Sequence, residues 1–142
     1  MSLGFSKLKI HEFSNWEVYL HECQCYLGWV YILHRDKNKL DLLDINDADF
    51  VDLKKIVVGV KDVVRTLFFP DMFNYASLGN EFRRLHVHII PRYKTKREFC
   101  HTNFNDNNWG HNYAPYDKSF FPNDLVVLSI KKVIQEELCK AL

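Results

Sequence analysis

The stretch "RRLHVHIIPR", residues 83–92, places His86 and His88 one residue apart in an otherwise apolar run. Side chains alternate across a β-strand, so in a strand both imidazoles would share one face with Arg84 and Arg92. Two imidazoles and two guanidinium groups would repel one another if all were charged and buried without a counter-ion. This face therefore either meets solvent or binds an anion.

Three kinds of surface fit such a pair of histidines. They could be solvated residues on an exposed strand face. An H-x-H pair could also supply two ligands to zinc or iron, but that site needs a third ligand, and the arginines would disfavour a cation. In the third case an anion binds, and one imidazole acts as a nucleophile or as an acid or base. The flanking arginines favour the anion site.

The cysteines offer a second candidate metal site. Cys23 and Cys25 could hold zinc together with His101 or His111. The C-x-C spacing differs, however, from the C-x2-4-C clips of common zinc sites. Nothing in the sequence indicates an oxidising compartment, so we expect the four cysteines to be free thiols.

Two amphipathic helices are predicted. Apolar residues recur at three- and four-residue steps over residues 50–68, as one buried helix face requires. Asn46 or Asp47 can cap the start of this helix, and Pro70 ends it. A second helix is predicted over "NDLVVLSIKKVIQEEL", with Asn123 as its N-cap.

Four segments rich in β-branched and aromatic residues are predicted to be strands: "WEVYL", "LGWVYIL", "MFNYASL" and "LHVHIIPRY". Gly79 and Asn80 supply a turn between the last two, which should therefore pair as antiparallel neighbours. The histidine strand has a second, apolar face, suited to packing against the long helix. Strands around one long helix predict an α+β fold with a mainly antiparallel sheet.

Composition indicates one globular domain, which we expect to span residues 1–142. The formal net charge of +1 gives no reason to expect binding to a nucleic acid polymer or a membrane surface. An anion would instead need a local cluster of basic residues. Six basic residues lie close together in the sequence: Arg83, Arg84, Arg92, Lys94, Lys96 and Arg97.

We expect a cytoplasmic protein, since no long apolar run or signal-peptide core is present.

The run "RRLHVHIIPRY" resembles the signature of the histidine triad superfamily, H-x-H-x-H-x-x with apolar x, commonly followed by Pro-Arg in the fragile-histidine-triad-like branch. Upstream, "GWVYILHRDKNKLDLLDINDADFVDLKKIVVGVKDVV" is similar to the family's glycine, strand, basic loop and long helix, and "FNYASLGN" to its Asn-containing strand and glycine turn. The resemblance implies a sheet of about five strands with one long central helix and a C-terminal helix. It also implies a homodimer, in which the long helix and an edge strand pair across a two-fold axis.

The resemblance further implies nucleotide chemistry. His86 matches the central histidine, which in the family attacks the α-phosphate of a nucleotide and forms a covalent nucleotidyl-imidazole. His88 matches the last histidine, which hydrogen-bonds phosphate and leaving-group oxygens. Asn74, Gly79 and Asn80 match the region that approaches the phosphates. We therefore expect a hydrolase of phosphorus anhydrides or a nucleotidyl transferase, acting on a dinucleoside polyphosphate or related conjugate, with no cofactor except a divalent cation carried by the substrate.

Two positions depart from the family pattern. Arg84 replaces the first histidine of the triad, and Trp29 stands where members often have a histidine after the glycine. Arginine cannot accept a proton, but it can hold a phosphate or a backbone carbonyl. The chain could therefore be a slow enzyme, an enzyme with a changed leaving-group preference, or a nucleotide-binding module without turnover. Arg92 is a further candidate for the phosphate, and either His21 or Glu22 could contact the ribose.

The polar and aromatic segment over residues 94–122 is outside the family motif. We expect it to form a loop that packs on the sheet and buries Trp109 and Tyr113. Alternatively, it lines the second half of a dinucleoside polyphosphate site. The polyphosphate would then be attracted by three basic residues at the start of the segment: Lys94, Lys96 and Arg97.

Overall fold

A five-stranded antiparallel sheet carries the histidine run. The structure is a computed structural model that describes residues 3–142. The strand order in the sheet is β1-β2-β3-β5-β4, and all neighbouring strands are antiparallel. The strands are Lys9–Glu12 (β1), Trp16–Leu20 (β2), Val30–His34 (β3), Met72–Ala76 (β4) and His86–Arg92 (β5).

Two helices pack against each other and against this sheet. Helix α1, Asp47–Phe68, begins after Asn46, whose side chain accepts a hydrogen bond from a backbone N–H of the first turn, and it ends before Pro70. Helix α2, Asp124–Ala141, begins after Asn123, which caps it in the same way. Both predicted helices are thus confirmed. No helix in the described part of the chain is long and apolar enough to cross a membrane.

The main core lies between α1 and one face of the sheet. Leu85, Val87 and Ile89 are buried there against the apolar face of α1, as the alternation of the histidine strand predicted. On the opposite face, Ile90 packs with Tyr26 and Trp29 in a smaller cluster. The histidines of β5 lie on this second side of the sheet.

β5 is held on both sides. It pairs with β4, as the Gly-Asn turn predicted, with Ala76 opposite His88. It also pairs with β3, where Tyr31 lies opposite His88 and Leu33 lies opposite His86. A strand with two hydrogen-bonded neighbours is more rigid than an edge strand, so its side chains are well fixed.

Part of the chain differs from the sequence-based expectation. β1 was not predicted, because its four residues "KIHE" are too few and too polar to give a strand pattern. The segment over residues 94–122 is not wholly a loop. It contains a hairpin of two short strands, Arg97–Phe99 (β6) and Thr102–Phe104 (β7), joined by Cys100 and His101, which both have positive φ.

Candidate active site

A cavity of about 650 Å³ opens beside the first half of β5. Its walls come from the ends of β2 and β3, from the loop between β4 and β5, and from the segment that follows β7. The structure brings together in this cavity six of the residues that the sequence singled out: His21, Glu22, Gly79, Asn80, His86 and His88.

His86 lies at the start of β5, with one ring nitrogen held by the main chain. Its Nδ1 lies 2.7 Å from the backbone carbonyl oxygen of Arg84. Because a carbonyl can only accept, the proton of the neutral ring is on Nδ1, and the lone pair is on Nε2. Nε2 makes no hydrogen bond within residues 3–142. It is therefore available to attack an electrophile or to accept a proton.

His88 has the opposite tautomer. The indole Nε1 of Trp29 lies 3.0 Å from its Nδ1. An indole N–H can only donate, so Nδ1 carries the lone pair and Nε2 carries the proton. Burial, with repulsion from His21 and His86, lowers the pKa of His88 to about 3. Near neutral pH this ring is therefore an uncharged hydrogen-bond donor beside His86.

His21 is the third histidine that lines the cavity. Its ring stacks on the indole of Trp29 with centroids 3.7 Å apart and planes 2° from parallel. Burial lowers its pKa to about 4. Its Nδ1 lies 3.1 Å from the N–H and 3.3 Å from the carbonyl oxygen of Cys23, so either tautomer has a partner. Glu22 is exposed at the same cavity, and both candidates for the ribose contact are thus in place.

Gly79 and Asn80 line the cavity from the loop between β4 and β5. Gly79 has φ 71°, a left-handed conformation that favours glycine. The same loop brings Phe82 to 5.3 Å from the ring of His86, between centroids. The loop that contains the predicted turn therefore also places an apolar side chain beside the ring of His86.

Arg84 does not line the cavity. Its Nη2 donates to the backbone carbonyl of His34 at 2.7 Å and lies 3.4 Å from that of Arg35. The sequence left two uses open for this arginine, holding a phosphate or holding a backbone carbonyl. In the structure it binds backbone carbonyls at the end of β3. Its own carbonyl is the acceptor for His86 Nδ1, so Arg84 contributes to the site through its main chain.

Arg92 and Asn74 lie away from the histidines. Arg92 is 2% exposed, and its Nε and Nη2 donate to Asp106 at 2.7 and 3.1 Å. Its remaining donors reach the side-chain oxygen of Asn74 and the carbonyls of Asn108 and His111. With all its donors engaged, Arg92 has none left for a phosphate.

A strap of chain over residues 113–118 packs against Trp29 and lines the cavity that holds the histidines. The rings of Tyr113 and Tyr116 meet the indole of Trp29 edge to face, at 6.0 and 4.9 Å between centroids. Lys118 is the only lysine that lines the cavity in the described part of the chain. Of the aromatic residues in this segment, Tyr113 and Tyr116 line the cavity. The three basic residues named for it, Lys94, Lys96 and Arg97, are not among the lining residues.

Tyr31 is a cavity residue that the sequence analysis did not single out. Its ring lies 5.8 Å from that of His88 and 6.1 Å from that of His86, between centroids. The signal was the alternation of β3, since Trp29 and Tyr31 are two residues apart and share a face. This alternation points to the cavity only when the register of β3 against β5, which places Tyr31 opposite His88, is known.

The described residues contain no cluster of metal ligands. Across residues 3–142, no group of three or more histidine, cysteine or acidic side chains is arranged to hold a metal ion. The four cysteines carry free thiols, as expected.

Comparison with known proteins identifies the fold. No protein-family model and no curated protein matches the sequence. Among solved structures, a histidine triad protein from Marinobacter aquaeolei VT8 is 20% identical, with a TM-score of 0.78 and coverage of 100% of this chain and 99% of that chain. A histidine triad protein from Sinorhizobium meliloti 1021 is 18% identical, with a TM-score of 0.77 and coverage of 92% and 88%.

A Zn-bound histidine triad family protein from Mycobacterium smegmatis is 15% identical, with a TM-score of 0.64 and coverage of 94% of this chain and 85% of that chain. These similarities agree with the architecture of a five-stranded antiparallel sheet, one long helix and a C-terminal helix. The chain therefore has the α+β fold of histidine triad proteins, as the sequence predicted.

Proposed function

We propose that this chain is a nucleotide hydrolase or nucleotidyl transferase in which His86 attacks the α-phosphate of its substrate. The observation that carries the proposal is the pair of opposite tautomers on β5. Nε2 of His86 has a free lone pair, and Nε2 of His88 carries a proton, with the two ring centroids 4.9 Å apart. A nucleophile and a donor at this spacing suit displacement at phosphorus.

The chemistry follows from these two groups. The lone pair on His86 Nε2 forms a P–N bond to the α-phosphorus, while the bond from phosphorus to the leaving group breaks and its electrons go to the leaving atom. The N–H of His88 hydrogen-bonds the oxygens on which charge develops. Water, or an acceptor in the transferase case, then attacks phosphorus. The P–N bond breaks, its electrons return to Nε2 of His86, and the proton of the attacking oxygen passes to the leaving group or to solvent. The products are the leaving group and a nucleoside monophosphate or its new conjugate.

The charge of the cavity bears on the substrate. Its charged lining residues are Lys118, Glu22 and Glu81, so with neutral imidazoles the formal charge is one minus two, or −1. A polyphosphate chain would meet only one lysine there and would be repelled by two carboxylates. Apart from the imidazoles and Asn80, the rest of the wall is aromatic and apolar. Among the two substrate types expected from the sequence, we therefore favour a nucleoside monophosphate conjugate over a dinucleoside polyphosphate.

A substrate panel tests this choice. We expect kcat/KM for an adenosine 5′-phosphoramidate with an apolar amine leaving group to exceed that for diadenosine triphosphate by at least about tenfold, or ~1.4 kcal/mol. Each substrate is assayed with magnesium and with chelator, because a cation carried by the polyphosphate would reduce its charge. Faster turnover of diadenosine triphosphate would contradict the choice, whereas binding without turnover of either would indicate a non-catalytic nucleotide-binding module.

A metal site using His86 and His88 is disfavoured by the contacts of His88. Binding a metal through Nε2 would move the ring proton to Nδ1. The indole N–H of Trp29 already points at Nδ1, so two donors would then face each other at 3.0 Å. Binding through Nδ1 is blocked by the same indole.

We also propose a homodimer formed through β4. This strand lies at one edge of the sheet, and both Met72 and Tyr75 on it are 48% exposed. An edge strand with exposed apolar side chains is a ready surface for pairing with a second copy. The proposed partners are thus a nucleotide and a second copy of the chain. We propose that the protein acts in the cytoplasm and binds neither a membrane nor a nucleic acid polymer.

Sedimentation velocity tests the dimer. We expect the wild type to sediment as a dimer and the variant Met72→Lys/Tyr75→Lys as a monomer, because charges on an edge strand oppose pairing. Leu43→Lys is the control, since Leu43 is exposed but lies outside β4. A monomeric wild type, or a double variant that remains dimeric, would contradict this interface.

A further inference from the structure

Trp29 lies behind His88 and supplies the hydrogen bond to its Nδ1. We propose that Trp29 is a positioning residue that fixes His88 as the Nε2–H tautomer and so aims a neutral donor at the substrate. This inference rests on the proposed function for its catalytic consequence, but the tautomer itself can be measured without any substrate.

The donor is unambiguous in this contact. An indole ring has one N–H and no acceptor nitrogen, unlike a histidine, a serine or an amide, which can each turn or exchange roles. Facing Trp29, Nδ1 of His88 can therefore only accept. The contact also opposes protonation of His88, because an imidazolium has a proton on both nitrogens and cannot accept a hydrogen bond from the indole.

Trp29 is itself held firmly. It is 1% exposed and is packed between the ring of His21 and the edge of Tyr116. Its backbone carbonyl accepts from the buried side chain of Gln24 at 2.9 Å, and the other end of that amide accepts from the N–H of Gly28 at 2.8 Å. A Cβ at Gly28 would lie 3.1 Å from a phenylalanine ring of α1, so the chain must approach the helix closely here. The indole thus has little freedom to turn away from His88.

The other groups around His88 do not fix its tautomer. Its other ring neighbours are His21 after β2, Tyr31 on β3 and His86 on β5 itself, at centroid distances of 5.7, 5.8 and 4.9 Å. On β4, the residue opposite His88 is Ala76, which has no polar side chain. The charged side chains of the cavity are those of Lys118, Glu22 and Glu81, and none of them hydrogen-bonds His88 in the described residues. If the indole donor is removed, Nδ1 is free to take the proton.

Loss of the donor has a defined chemical consequence. With the proton on Nδ1, His88 would turn a lone pair instead of an N–H toward the phosphate oxygens, and the two would repel. The ring would also become easier to protonate. Trp29→Phe keeps an aromatic ring in the same place but removes the N–H, which makes it the direct test.

Nitrogen-15 NMR of the labelled imidazoles reads the tautomer, with His88 assigned by comparison with His88→Gln. In the wild type we expect the shift of a protonated Nε2 and an unprotonated Nδ1. In Trp29→Phe we expect the Nδ1–H form to rise and the pKa of His88 to increase, with kcat lowered about ten- to hundredfold. Trp16→Phe is the matched control, since Trp16 is also 1% exposed but its Nε1 has no partner among the described residues.

The outcomes separate this inference from the proposed function. A wild type whose His88 is mainly Nδ1–H overturns the inference without any variant having to fold. So does a Trp29→Phe variant that loses activity while the tautomer and pKa of His88 stay unchanged, because Trp29 would then be only structural. If the wild type turns over no nucleotide but shows the expected tautomer change in Trp29→Phe, the proposed function fails and the positioning role stands.

Discussion

Replacing His86 with alanine is expected to lower turnover by on the order of 10⁴-fold or more, because it removes the atom that we propose forms the covalent bond to phosphorus. The free lone pair on Nε2, fixed by the contact of Nδ1 with the carbonyl of Arg84, singles out this residue. Steady-state assays on the preferred conjugate measure the loss. Mass spectrometry of acid-quenched wild type should also find a nucleotidyl adduct on His86 that is absent from the variant.

The control for this variant is His101→Ala. His101 is exposed in the turn between β6 and β7 and does not line the cavity. The turnover of the His101→Ala variant should therefore match that of the wild type. Binding of adenosine monophosphate by calorimetry, retained in His86→Ala, would show that the fold and pocket survive. Activity of His86→Ala above a tenth of the wild-type value would contradict the role of His86 as nucleophile.

The parts of the fold that could be predicted are those with a strong local pattern. Helix α1 has an apolar face over most of its length, a capping Asn46 and a terminating Pro70, and all three signals agree. β4 and β5 were predicted to pair because Gly79 and Asn80 leave only a short connection between them. By contrast, β1 and the β6–β7 hairpin have three or four residues per strand, which is too short for a periodic signal.

Some residues of the site could be predicted from the sequence and others could not, for a related reason. The histidines are close in sequence and in the same strand, so alternation alone placed His86 and His88 together. Trp29 meets His88 across 59 positions of the chain, and only the register of β3 against β5 brings the two together. Spacing along the chain was also misleading for the basic cluster. Alternation predicted one strand face for Arg84 and Arg92, but β5 begins only at His86. Arg84 binds a backbone carbonyl at the end of β3, and Arg92 binds Asp106.

Asp106→Asn is expected to destabilise the protein by about 3–5 kcal/mol, which is the cost of leaving a buried charge without its partner. The side chain of Asp106 is fully buried and accepts two hydrogen bonds from Arg92. It also accepts from the backbone N–H groups of Tyr93 and Asn108. Asparagine has nearly the same shape but no charge, and its NH2 group must face one of these donors. Urea unfolding measures the change.

The matched control is Asp62→Asn, because Asp62 pairs with Arg65 at the surface, where both side chains are more than half exposed. Its loss should change stability by less than about 0.5 kcal/mol. A loss of less than ~1 kcal/mol for Asp106→Asn would show that the guanidinium of Arg92 does not depend on this carboxylate.

The double variant Arg92→Met/Asp106→Leu separates charge from packing. If the unpaired guanidinium causes the loss, removing both charges should cost less than Asp106→Asn alone, because no buried charge then remains. Arg92 also donates to the carbonyls of Asn108 and His111, just before the strap that packs against Trp29. In the double variant we therefore expect recovered stability but a raised KM, since the strap loses its anchor to the sheet. If stability recovers and KM stays at the wild-type value, the strap is positioned by its tyrosines and not by Arg92.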